Sequence, residues 1–63
     1  MSAQQINVLE AVNQLMVRRG IALGKLARAY MAGVKYNTPE LVQLRTFAQA
    51  ALSRSRHLMA QIG

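Results

Sequence analysis

Two long antiparallel helices, an all-α hairpin, are what this sequence predicts, and three observations predict them. Apolar residues recur at alternating steps of three and four on both sides of a single break. The break, Gly33-Val34-Lys35-Tyr36-Asn37-Thr38-Pro39-Glu40, holds a glycine suited to ending one helix and a proline suited to starting another. It is also short, and a short turn between long helices makes them antiparallel neighbours.

Helix one is expected over about residues 4–32. Its first apolar stripe comprises Ile6, Leu9, Met16, Leu23, Ala27 and Tyr30, with Asn13 and Gly20 filling the same alternation. A second stripe, Val8, Val12, Leu15 and Leu26, lies beside it, while Asn7, Glu10, Gln14, Arg18, Lys25 and Arg28 take the opposite side. The apolar arc is therefore wider than one neighbouring helix needs. Arg19 falls inside that arc, between Val12 and Leu26, and reads either as a snorkelling side chain at the hairpin rim or as a cation held at a partner surface.

Gly20 and Gly24 are unusual so deep in a helix, since each costs ~1 kcal/mol relative to alanine. The expectation is a tight waist, with residues 20–27 facing small residues at 48–55. A kink of helix one at Gly20, which follows Arg18 and Arg19, is the alternative.

The turn is expected over 33–38. Thr38 is placed to accept an amide hydrogen bond as N-cap, Pro39 suits the first helical position, and Glu40 suits the positive end of the helix dipole. Helix two then runs from 39 to about 61. Leu41, Leu44, Ala48, Ala51, Ser55, Leu58 and Ile62 step by three and four, flanked by Phe47, Leu52 and Met59. The expected core is Leu41, Leu44, Phe47, Leu52 and Leu58 against Leu9, Met16 and Leu23.

A chain of 63 residues has room for one domain, residues 1–63, and buries only ~60% of its unfolded surface. Small scaffolds usually add disulfides, a metal or a partner. This one has no cysteine and a single histidine, His57, so no metal site or cofactor is expected. Dimerisation into a four-helix bundle, or docking on a partner, is the expected supplement. The absence of cysteine suits a reducing, intracellular setting. No signal peptide or membrane span is expected, because the least polar stretch, 21–36, is interrupted by Lys25, Arg28 and Lys35.

No motif names a reaction. The carboxylates Glu10 and Glu40 fall far apart in a hairpin, which removes paired acid-base chemistry. Ser53 and His57 stand four apart on a helix, with no third group to orient the imidazole. There is no phosphate-binding glycine loop. The expectation is a protein that is not an enzyme.

Eight Lys and Arg against two acids give a net charge of +6, which favours negatively charged partners. Residues 29–38 resemble the centre of a helix-turn-helix, with an alanine four before the turn glycine. The pattern departs from that family where Pro39 would enter the recognition helix and where Arg28 replaces an apolar residue. A nucleic-acid reading without that motif would place Arg18, Lys25, Arg45, Arg54 and Arg56 on phosphates. A membrane-surface role for helix one yields to the matching stripe of helix two.

The protein-partner reading rests on the surplus width of helix one. It assigns the partner face to Val8, Val12, Leu15, Arg19 and Leu26, as the residues left over once the first stripe meets helix two. The expected function is a small basic interaction module: an adaptor, a co-chaperone-like protein or an assembly component. In outline the pattern is similar to small helical-hairpin adaptors and co-chaperones, including those of bacterial type III secretion, and to small helical components of phage particles. That similarity is carried by the helical outline and not by a residue motif.

Overall fold

Residues 2–62 are described by a computed structural model, and they form the expected hairpin: α1 (Ala3–Met31) and α2 (Pro39–Ala60), packed side by side. The molecule is a rod of 47 × 15 × 13 Å with a radius of gyration of 14.4 Å. A compact chain of this length has a radius of gyration of about 11 Å. Only one layer of contact, helix on helix, therefore supplies the core.

Both ends of α1 are fixed by local hydrogen bonds. The Ser2 hydroxyl accepts the Gln5 amide at 3.2 Å, and the Gln5 side chain accepts the Ser2 amide at 2.9 Å, a reciprocal cap that satisfies two of the amides left free at a helix start. At the other end Gly33 adopts φ +83. Its amide donates to the Tyr30 carbonyl and the Val34 amide donates to that of Ala29, each at 3.0 Å. This is the Schellman arrangement, which closes a helix through a left-handed residue. A Cβ at Gly33 would meet nothing within 4 Å, so Gly33→Ala isolates the backbone cost. We expect a loss of about 1 kcal/mol, read as a lower urea midpoint; an unchanged midpoint would contradict the left-handed geometry.

Pro39 opens α2 and Glu40 stands in its first turn. The expectation for Thr38 is corrected: its hydroxyl makes no cap bond and instead donates to the Lys35 carbonyl at 2.7 Å. With Thr38 O accepting from the Leu41 and Val42 amides, the threonine closes the turn behind it while its backbone starts the helix.

The core also departs from expectation. Ala22, Leu26, Leu41, Ala48, Ala51 and Ser55 are buried. Along α1, Gln5, Val8, Val12, Leu15, Arg19, Ala22, Leu26 and Ala29 are buried or half-buried in an unbroken alternation of three and four, which is a coiled-coil seam. Leu41, Leu44, Ala48, Ala51, Ser55, Leu58 and Ile62 form the matching seam of α2. Leu41 is buried as expected, and Leu9, Leu44, Leu52 and Leu58 are half-buried. Met16, Leu23 and Phe47 are exposed by about two-fifths and do not belong to the core.

The expected packing of the glycines against α2 is not found. The buried small residues are instead Ala22 on α1 and Ala48, Ala51 and Ser55 on α2, and the buried Ser55 hydroxyl is satisfied by the Ala51 carbonyl at 2.8 Å. Gly20 lies outside, with nothing within 4 Å of a Cβ built on it, and Gly24 would meet only Arg28 Nη1 at 3.9 Å. α1 runs through both glycines as one helix of 29 residues.

Candidate interaction surface

Two sides of the hairpin can be told apart by which residues meet across it. On one, Tyr30 of α1 meets Arg45 of α2: the Arg45 guanidinium donates to the Tyr30 hydroxyl at 3.0 Å and to the Tyr36 carbonyl at 2.7 Å. The same guanidinium lies over the Tyr36 ring, 3.7 Å from its centroid, and the two tyrosine rings stack at 6.0 Å. Such a cation on an aromatic face, with two hydrogen bonds, ties the turn to α2. On the other side, Arg18, Ile21 and Lys25 of α1 share a shallow hollow with Leu44 and Phe47 of α2, floored by Ala22.

Heptad spacing extends both sides along the rod. The tyrosine side continues from Tyr30 through Leu23, Met16 and Leu9 on α1, and from Arg45 through Leu52 and Met59 on α2. Beside that α1 column runs another, Ile6, Asn13, Gly20 and Ala27. Together these eight α1 positions carry no charge. Met16 is 40% exposed, Leu23 39% and Ile6 44%, so the face is apolar and open. The hollow side collects Arg18 and Lys25, with Arg54 in the same heptad column as Phe47.

The partner face expected from sequence is thereby corrected. Val8, Val12, Leu15 and Leu26 lie on the seam that α2 covers, with Leu26 only 5% exposed. The surplus is the other stripe. Arg19 also lies on the covered seam. Ala22 shares the hollow with Leu44 and Phe47, so the antiparallel register brings Arg19, three residues back, level with Ala48 and Ala51. Those small residues leave room for its stem. Its Nε is buried and finds no hydrogen-bond partner among the described residues.

The five cations expected to serve a nucleic acid are dispersed. Arg18, Lys25 and Arg54 share the hollow side, Arg45 is engaged by the two tyrosines on the other, and Arg56 stands with neither group. The Tyr30–Tyr36–Arg45 cluster was not foreseen. Its only sequence signal was two tyrosines six apart around the turn glycine, which does not identify an arginine fifteen residues away.

No helix among the described residues is long and apolar enough to cross a membrane. No protein-family model, curated protein or solved structure matches the chain significantly.

Proposed function

We propose that this chain is a non-enzymatic protein-interaction module, an adaptor or assembly component, which presents the uncharged α1 face of Ile6, Leu9, Met16, Gly20, Leu23 and Ala27 to a partner helix. The observation that carries the reading is the periodicity of that face. Residues 6, 9, 13, 16, 20, 23, 27 and 30 repeat the alternation of three and four by which α1 receives α2, and a helix is what such a seam accepts. The face is open along about 36 Å of helix, at 1.5 Å per residue, and contiguous exposed apolar surface of this kind marks interaction sites on small proteins. Its polar breaks, Asn13 and Gly20, suit a partner that must be both chosen and closely approached.

A photo-reactive amino acid at Leu23 tests the reading in cells that express the chain. A protein adduct of defined mass is expected from Leu23, and none from the same probe at Gln43, which is exposed on α2. The absence of any adduct from Leu23 would reject it.

A further inference from the structure

We propose that the partner helix is α1 of a second copy, packed antiparallel across a two-fold axis so that two hairpins make a four-helix bundle. This rests on the reading above and names the occupant of the same face.

Three observations select a second copy. The first is area. A monomer of 7.0 kDa is expected to expose about 4,000 Å², whereas this chain exposes 4746 Å². The excess, about 700 Å², is close to the ~800 Å² that each partner contributes to a standard stable interface.

The second is self-complementarity, which a two-fold interface requires. In the antiparallel register centred between Met16 and Gly20, Met16 falls opposite Gly20 of the second copy, Leu9 opposite Ala27, Leu23 opposite Asn13 and Ile6 opposite Tyr30. Bulky residues meet smaller ones in three of the four layers. A parallel pairing would set Gly20 on Gly20 and Leu23 on Leu23, leaving a gap beside a bulge. The glycine that the hairpin itself does not use, open on all sides, becomes the recess for a methionine.

The third is charge. Two chains of +6 associate best where few cations face each other, and the eight seam positions carry none. The same register brings Glu10, the one acid of α1, level with Leu26 of the second copy, between Gly24 and Arg28 and about 3 Å along the axis from each. The Arg28 guanidinium already lies over Gly24, 3.9 Å from where a Cβ would stand, so the missing side chain exposes the cation to that carboxylate. One like-charge approach opposes these: each Arg19 stands one residue from the two-fold axis, so the two lie within about 3 Å of each other along the helix direction. The net +6 of each chain adds to that repulsion and outweighs the two Glu10–Arg28 pairs, so association should strengthen with added salt, which screens it.

Sedimentation equilibrium on the full chain tests the proposal. The wild type should be a dimer whose dissociation constant falls as salt rises. Gly20→Leu has open space in the hairpin and removes a helix-weakening residue, so helicity should hold or rise. It also fills the Met16 recess, and overpacking of 1–3 kcal/mol corresponds to a dissociation constant about 5- to 150-fold higher. Glu10→Arg should weaken the dimer, and Glu10→Arg with Arg28→Glu should restore it. For orientation, Leu9→Cys and Ala27→Cys chains, mixed and oxidised, should give the mixed disulfide in preference to either symmetric one. A wild type that stays monomeric at every concentration and salt, or a dimer that tolerates Gly20→Leu with unchanged affinity, overturns the proposal. The adduct from Leu23 separates the two readings. A mass twice that of the chain supports the second copy, a different protein overturns it while leaving the interaction reading in place, and no adduct overturns both.

Discussion

Leu26→Ala should unfold most of the hairpin at room temperature. Leu26 is 5% exposed and is the largest buried side chain of α1; its counterpart near the turn, Leu41, is 4% exposed. Truncating a buried leucine to alanine costs about 2–5 kcal/mol through lost transfer energy and the cavity left behind. A domain of this size holds only a few kcal/mol in total, and alanine's better helix propensity returns a few tenths at most. Circular dichroism at 222 nm should show a large loss of helicity, with the remaining signal melting broadly. Leu23→Ala provides the control, because Leu23 is exposed and outside the seam. It should leave the monomeric hairpin folded, and any loss of stability it causes should depend on protein concentration, since burial of Leu23 by a partner is linked to association. If Leu23→Ala destabilises the monomer as strongly as Leu26→Ala, the assignment of the two stripes is wrong.

That control addresses the point at which sequence reasoning and structure part. The ends of both helices were legible, because Gly33 and Pro39 act through local backbone chemistry that needs no tertiary information. The α2 seam was legible too, since only one apolar column runs through residues 41–62. On α1 two columns share the same alternation, one residue out of phase. Hydrophobicity favours the column of Ile6, Leu9, Met16, Leu23 and Tyr30, because the other carries Arg19 at its centre. The structure selects the column that carries the charge. The small side chains of α2 at 48, 51 and 55, all buried, offer a physical reason: they leave space on the seam where bulkier residues would crowd an arginine. Hydrophobic content predicted that α1 had surplus surface, but shape decided which surface was surplus. The glycines follow from the same exchange, since a residue read as the waist of one interface stands on the open face that remains.

Arg19 gives the second large effect, and it runs in the opposite direction. Arg19→Met should raise the stability of the monomeric hairpin by about 1–2 kcal/mol. The arginine occupies a seam position with its Nε buried and unpaired among the described residues, and an unsatisfied buried polar group costs about 1–3 kcal/mol. Its half-buried stem nevertheless covers part of the seam, so replacement by alanine would remove that coverage along with the penalty. Methionine keeps an unbranched stem, matches arginine in helix propensity and adapts to irregular gaps. At roughly 4–8 °C per kcal/mol for a domain of this size, the melting temperature should rise by about 4–16 °C at a concentration where the chain is monomeric. Arg19→Ala should gain less than Arg19→Met, and that order distinguishes relief of an unpaired group from relief of crowding, for which the smaller residue would win. In the two-fold assembly the effect should be larger still, because Arg19→Met also removes the repulsion between the two copies across the axis. The dimer of this variant should accordingly depend less on salt than that of the wild type. A fall in the melting temperature of Arg19→Met would mean that the guanidinium is bound by a group that stabilises the fold, and would reverse the account of the seam centre.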